Sequence, residues 1–119
     1  MIVARALNGI VFQGDSMDLV VELFDTNGDN IAALADEDTD VTLRIQRNVE
    51  DLDPIVDDVA MQVVSNQTVS YRLVVGEDWL GYYLGQITLV TPGIGPGAAD
   101  LIQRSAPFTF KVAPTLSGS

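Results

Sequence analysis

Asp25, Asn27 and Asp29 place side-chain oxygens at alternate positions of the run Asp25-Thr26-Asn27-Gly28-Asp29-Asn30. That is the spacing of the first three ligands of a calcium loop. The remainder of the pattern is missing. Such a loop wants glycine at its sixth position and glutamate at its twelfth, where this chain has Asn30 and Asp36. The residues before it alternate like a strand rather than a helix. Asp25, Asn27 and Asp29 are therefore weak metal candidates, and the expectation is no bound metal, with Asn27-Gly28 serving as a hairpin turn. Two more acidic groups, residues 36–40 and residues 50–58, hold nine of the 17 carboxylates. Carboxylates this close repel one another and favour water, so solvated loops are expected. A weak divalent-cation site, or contact with a neighbour rich in Arg and Lys, is the functional alternative.

Other chemistry is excluded by composition. The chain has no histidine and no cysteine, which removes the usual general base, the thiol nucleophile, disulfides and zinc-thiolate sites. Paired-carboxylate hydrolysis needs two acids held across a cleft, and these acids fall in loops. The segment Thr91-Pro92-Gly93-Ile94-Gly95-Pro96-Gly97-Ala98-Ala99 lacks the Lys-Ser/Thr of a phosphate-binding loop. The chain is read as a non-enzyme without cofactors. Ile94 and Pro96 instead put apolar groups near a loop tip, and Leu116 does so in a Ser- and Gly-containing tail. These three are the candidate partner contacts. Trp79, Tyr82 and Tyr83 are the aromatics that a glycan site would use.

The formal charge of −11, with five Arg and one Lys, repels phosphate backbones and anionic lipid, so neither nucleic acid nor membrane is an expected partner. No run reaches the roughly 18 apolar residues that span a bilayer. The first residues lack the features of a secretory signal, so the expectation is either a protein that stays and assembles in the cytoplasm or one whose leader has been removed.

A scaffold for these loops is legible in period-two alternation. Residues 17–23 put Met17, Leu19, Val21 and Leu23 on one face. Val41, Leu43 and Ile45 do the same, as do Val69, Tyr71, Leu73 and Val75, then Phe108, Phe110 and Val112. Residues 2–7, 10–12, 86–90 and 101–104 also read as strands, 31–34 as a weak returning strand, and 55–64 as strand or short helical turn. About seven or eight strands without a long amphipathic helix predict an all-β antiparallel sandwich. Residues 1–112 form its single domain and 113–119 a flexible tail, with the convincing part of the sandwich starting after residue 7. Gly81-Tyr82-Tyr83-Leu84-Gly85 resembles the tyrosine corner of immunoglobulin-like folds, with Gly85 where antibody domains carry their second cysteine.

Phe12, Gly14-Asp15-Ser16, the strand 17–23, Asp25 to Gly28, Ile31, Leu34 and the alternation 39–45 together resemble the Ig-like domains of bacteriophage virion proteins. The likeness is in particular to the N-terminal domain of baseplate upper proteins, and Gly81-Tyr82-Tyr83 is similar too. The resemblance implies a structural subunit of a phage particle, a capsid decoration or a tail or baseplate accessory protein. It would be a homo-oligomer docked to major capsid or tail subunits and located in the virion. The alternative is a bacterial Ig-like module that binds glycan or calcium through its loops.

Overall fold

The computed structural model describes residues 2–48 and 54–115. Ten strands are present among them: β1 (Ile2–Ala6), β2 (Ile10–Phe12), β3 (Ser16–Asp25), β4 (Asp40–Gln46), β5 (Val56–Ala60), β6 (Gln62–Val63), β7 (Thr68–Val74), β8 (Gly81–Thr91), β9 (Leu101–Arg104) and β10 (Phe108–Ala113). They build two sheets, ordered β1-β3-β7-β6 and β2-β10-β8-β4-β5, with β9 paired to the upper half of β8. All pairings are antiparallel except β2 with β10, which run parallel. This is the strand arrangement of an Ig-like β-sandwich.

The core follows from the alternation. Leu19, Val21 and Leu23 of β3 face Leu43, Ile45, Ile87, Leu89 and Phe110 of the other sheet, and all are buried. Each such side chain contributes about 1.5–3 kcal/mol by leaving water. The outward positions of β3 and its neighbours mix polar residues with Val3, Val20, Phe24 and Val74, and two exposed ion pairs, Arg5–Glu22 and Arg72–Asp18, lie there. Isolated surface pairs of this kind stabilise little.

β10 is separated from β9 by a bend at Ser105. Its buried Oγ accepts the Ile87 N–H at 3.0 Å and donates to the Ala106 carbonyl at 2.9 Å. The bend passes the chain from the upper to the lower half of β8, and the Ala106 N–H donates to the Ile2 carbonyl across the sheets. The tyrosine corner is present. Tyr83 is buried, its hydroxyl accepts the Leu80 N–H at 3.0 Å, and its ring packs between Trp79 and Phe110 at centroid distances of 5.5 and 5.8 Å.

Three expectations are corrected. Residues 31–34 do not return as a strand. Both edges of β3 are already occupied, by β1 and β7, so the chain after Asp25 must cross to the other sheet. It crosses through a 3₁₀ turn at Ala32–Ala35, with Ile31 and Leu34 buried; a spacing of three suits that turn and not a strand. Residues 2–6 belong to the sandwich, because β1 pairs along β3 and Ile2 is in the core. The strand content of the final segment extends one residue further than expected, to Ala113. The ambiguous stretch 55–64 is strand, β5 and β6, with Asp58 at φ 47° marking an irregularity that interrupts the β4–β5 register.

Candidate functional site

At one end of the sandwich the β3–β4 and β8–β9 connections lie side by side, joined at their bases by the Thr39 and Thr91 hydroxyls at 3.0 Å. The β8–β9 connection is a stiff tongue. Pro92 and Pro96 each fix one backbone angle. Gly95 and Gly97 take φ of +93° and +77°, conformations that other residues adopt only with strain. The Ala98 N–H donates to the Gly95 carbonyl at 3.2 Å, and the Asp100 carboxylate accepts the Gly93 N–H at 3.2 Å. Pairing of Thr91 with Leu101 closes the base. The result holds Ile94 at 98% exposure on a scaffold that gives it no local apolar cover. Pro96 is exposed on the same tongue.

The electrostatics of this end are one-sided. Asp25, Asp29, Asp36, Glu37, Asp38 and Asp40 come from the β3–β4 side and Asp100 from the tongue, while residues 6–43 and 73–103 contain no Lys or Arg. The cations sit elsewhere. Arg44 and Arg104 line a shallow depression of about 440 Å³ on the outer face of the larger sheet, beside Asp58, and the Lys111 ammonium lies 5.7 Å above the Tyr82 ring. Close carboxylates on one end sum into a field reaching about 8 Å at physiological salt.

Beneath the tongue a cleft of about 520 Å³ opens between the two sheets, bordered by Ile2 of β1 and by Leu101 and Gln103 of β9. Ile31 and Ala33 complete an apolar floor, and Asp25, Asn30 and Asp36 stand at the rim. Leu101 and Gln103 alternate with Ile102 and Arg104 along β9, so they share the face turned toward the other sheet. Leu101 is nevertheless 56% exposed.

The metal candidates have a different use. One Asp25 carboxylate oxygen accepts the Asn27 and Asp29 N–H groups at 2.8 and 2.9 Å, and the Gly28 N–H donates to the Asp25 carbonyl at 2.9 Å. That oxygen is spent on holding the turn. Among the described residues no group of three or more acidic side chains converges on a point where a metal ion would sit. The aromatic candidates do not share a platform either. Tyr83 points into the core, Trp79 packs against it, and Tyr82, next in sequence, points to solvent. Of the proposed partner contacts, Ile94 and Pro96 lie together on the tongue, and Leu116 falls outside the described residues. The cleft was not foreseen, since Ile2, Ile31 and Leu101 belong to three distant segments and no local spacing links them.

No protein-family model matches this chain, and no curated protein matches it.

Proposed function

We propose that this chain is a non-enzymatic structural subunit of a bacteriophage particle, which docks to neighbouring virion proteins through the loop end of its sandwich. The observation that carries the docking role is Ile94, 98% exposed on a tongue restrained by Pro92, Pro96 and the Asp100–Gly93 hydrogen bond. An isolated exposed apolar residue is ordinary on a protein surface. One held out by a stiffened loop is different, because its burial against a partner gains about 1.5–3 kcal/mol without a further cost of ordering the loop. The assignment to a phage particle is supported by the resemblance of Gly14-Asp15-Ser16, the Asp25–Gly28 turn and Gly81-Tyr82-Tyr83 to Ig-like virion domains. These residues sit at the strand entries and corners on which the sandwich depends.

The test is a composition measurement. Particles purified from a lysate of the phage that encodes the chain are expected to contain it in fixed stoichiometry by mass spectrometry. Particles made without it are expected to recover it on addition of the wild-type protein and not of Ile94→Asp. Particles that lack the chain altogether, or that bind both proteins equally, would sink the proposal.

A further inference from the structure

The cleft between β1 and β9 has the chemistry of a peptide seat, and we infer that it receives an extended Lys- or Arg-bearing segment of a neighbouring subunit. The inference deepens the docking role and rests on it for the identity of the partner as a virion protein. The binding property itself can be measured on the isolated chain.

Three observations converge on this occupant. The floor is apolar, formed by Ile2, Ile31, Ala33 and Leu101, and Leu101 leaves much of its side chain in water although it faces the space between the sheets. The volume of about 520 Å³ is that of a ligand cleft and holds a few side chains. β9 is hydrogen-bonded to β8 along one side; along the other it has no strand partner among the described residues, and the chain meets β1 there just past its end, in an isolated bridge between Ile2 and Ser105. An edge of this kind offers backbone N–H and C=O groups to an added extended segment.

Charge selects the segment. The rim carries Asp25 and Asp36, no Arg or Lys lines the cleft, and the surrounding end adds Asp29, Glu37, Asp38, Asp40 and Asp100. A second copy presenting its own acidic end would meet like charge. Because the carboxylates do not converge on a single point, their field suits cations spaced along a chain better than one bound ion. Alternation supplies the geometry, since successive side chains of an extended segment point in opposite directions. Apolar residues enter the cleft while Lys or Arg residues reach the rim and the tongue. Such complementarity raises the association rate and makes it fall with salt.

The probe is a synthetic octapeptide alternating Leu and Lys, with alternating Leu and Glu as control, titrated into the full-length ¹⁵N-labelled chain. Amide shifts are expected at Ile2, Ile31, Ala33, Asp36, Leu101 and Gln103. Affinity is expected to fall about tenfold or more between roughly 20 mM and 300 mM salt. Asp36→Asn should weaken binding several-fold while keeping the loop, because an amide oxygen can still accept the Asp38 N–H that Asp36 now accepts at 2.9 Å. Leu101→Lys should abolish binding with the fold intact, since that side chain is half in water already. Four results would each overturn the inference: no shifts, equal binding of the Leu-Glu peptide, shifts centred on Arg44 and Lys111, or peptide-free shifts at the cleft that grow with protein concentration. Particle composition is a separate readout, so a cleft that binds the Leu-Lys peptide in a protein absent from virions would refute the phage assignment alone.

Discussion

Gly85 faces Phe108 directly across the β8–β10 pair, with no room between them for a side chain. A Cβ built at position 85 would stand 2.3 Å from Phe108 Cζ and 2.7 and 2.8 Å from its Cε atoms. Carbon atoms in contact rest about 3.5–4.0 Å apart, so in Gly85→Ala the ring must withdraw by roughly 1 Å or more. Both residues are buried, and the ring cannot swing into solvent. Overpacking of this size costs about 1–3 kcal/mol, and the restricted unfolded chain returns about 0.4–1 kcal/mol. A net loss of about 1–2 kcal/mol follows. With about 2.1 cal/mol/K of unfolding entropy per residue over 119 residues, the midpoint should drop by about 4–8 °C. The assay is thermal and urea unfolding of wild type, Gly85→Ala, Phe108→Leu and the double variant. Leucine removes the ring atoms that clash, so the double variant should be more stable than additivity predicts by about 1 kcal/mol. If Gly85→Ala is neutral, or the two changes add within about 0.5 kcal/mol, Gly85 is not there to admit Phe108.

Tyr83→Phe removes the acceptor for the Leu80 N–H and should cost about 0.5–1.5 kcal/mol, read as a lower urea midpoint with unchanged m-value; an unchanged midpoint would show that the corner hydroxyl is dispensable. The hydrogen bond from Arg72, with its charge adding in the same direction against some desolvation, holds the Asp18 carboxyl below its ordinary value of 3.8. Because the folded-state value is the depressed one, the pair's contribution is present above the unfolded value and disappears as pH falls through the folded value. In Arg72→Gln the Asp18 carboxyl should therefore titrate at higher pH by ¹³C NMR, and an unmoved midpoint would contradict the pairing.

The strands were largely legible, because burial of one sheet face writes itself as alternation. Leu19-x-Val21-x-Leu23, Val41-x-Leu43-x-Ile45 and Phe108-x-Phe110-x-Val112 all bury the residues that their spacing marks. The corner was legible too, since Tyr83 acts within three residues of its partner at Leu80. Asn27-Gly28 misled because a turn dipeptide reports local backbone geometry and not whether the strand before it has a free edge. β1 is expected from its own sequence only as a strand; its place on β3 depends on pairing between residues about twenty apart.

The loop end that carries Ile94 separates the two kinds of information. Pro92, Ile94 and Pro96 declare an apolar, stiff loop, and the absence of Lys and Arg from residues 6–43 and 73–103 declares a negative charge density. Both are local properties of composition, so the chain alone determined them. The cleft required the sandwich. Ile2, Ile31 and Leu101 become one floor, under Asp25 and Asp36, when β1 and β9 are brought to the same side of two packed sheets. That proximity is set by the burial of the core and the hydrogen-bonded order of the strands, to which contacts between distant segments contribute and local spacing does not.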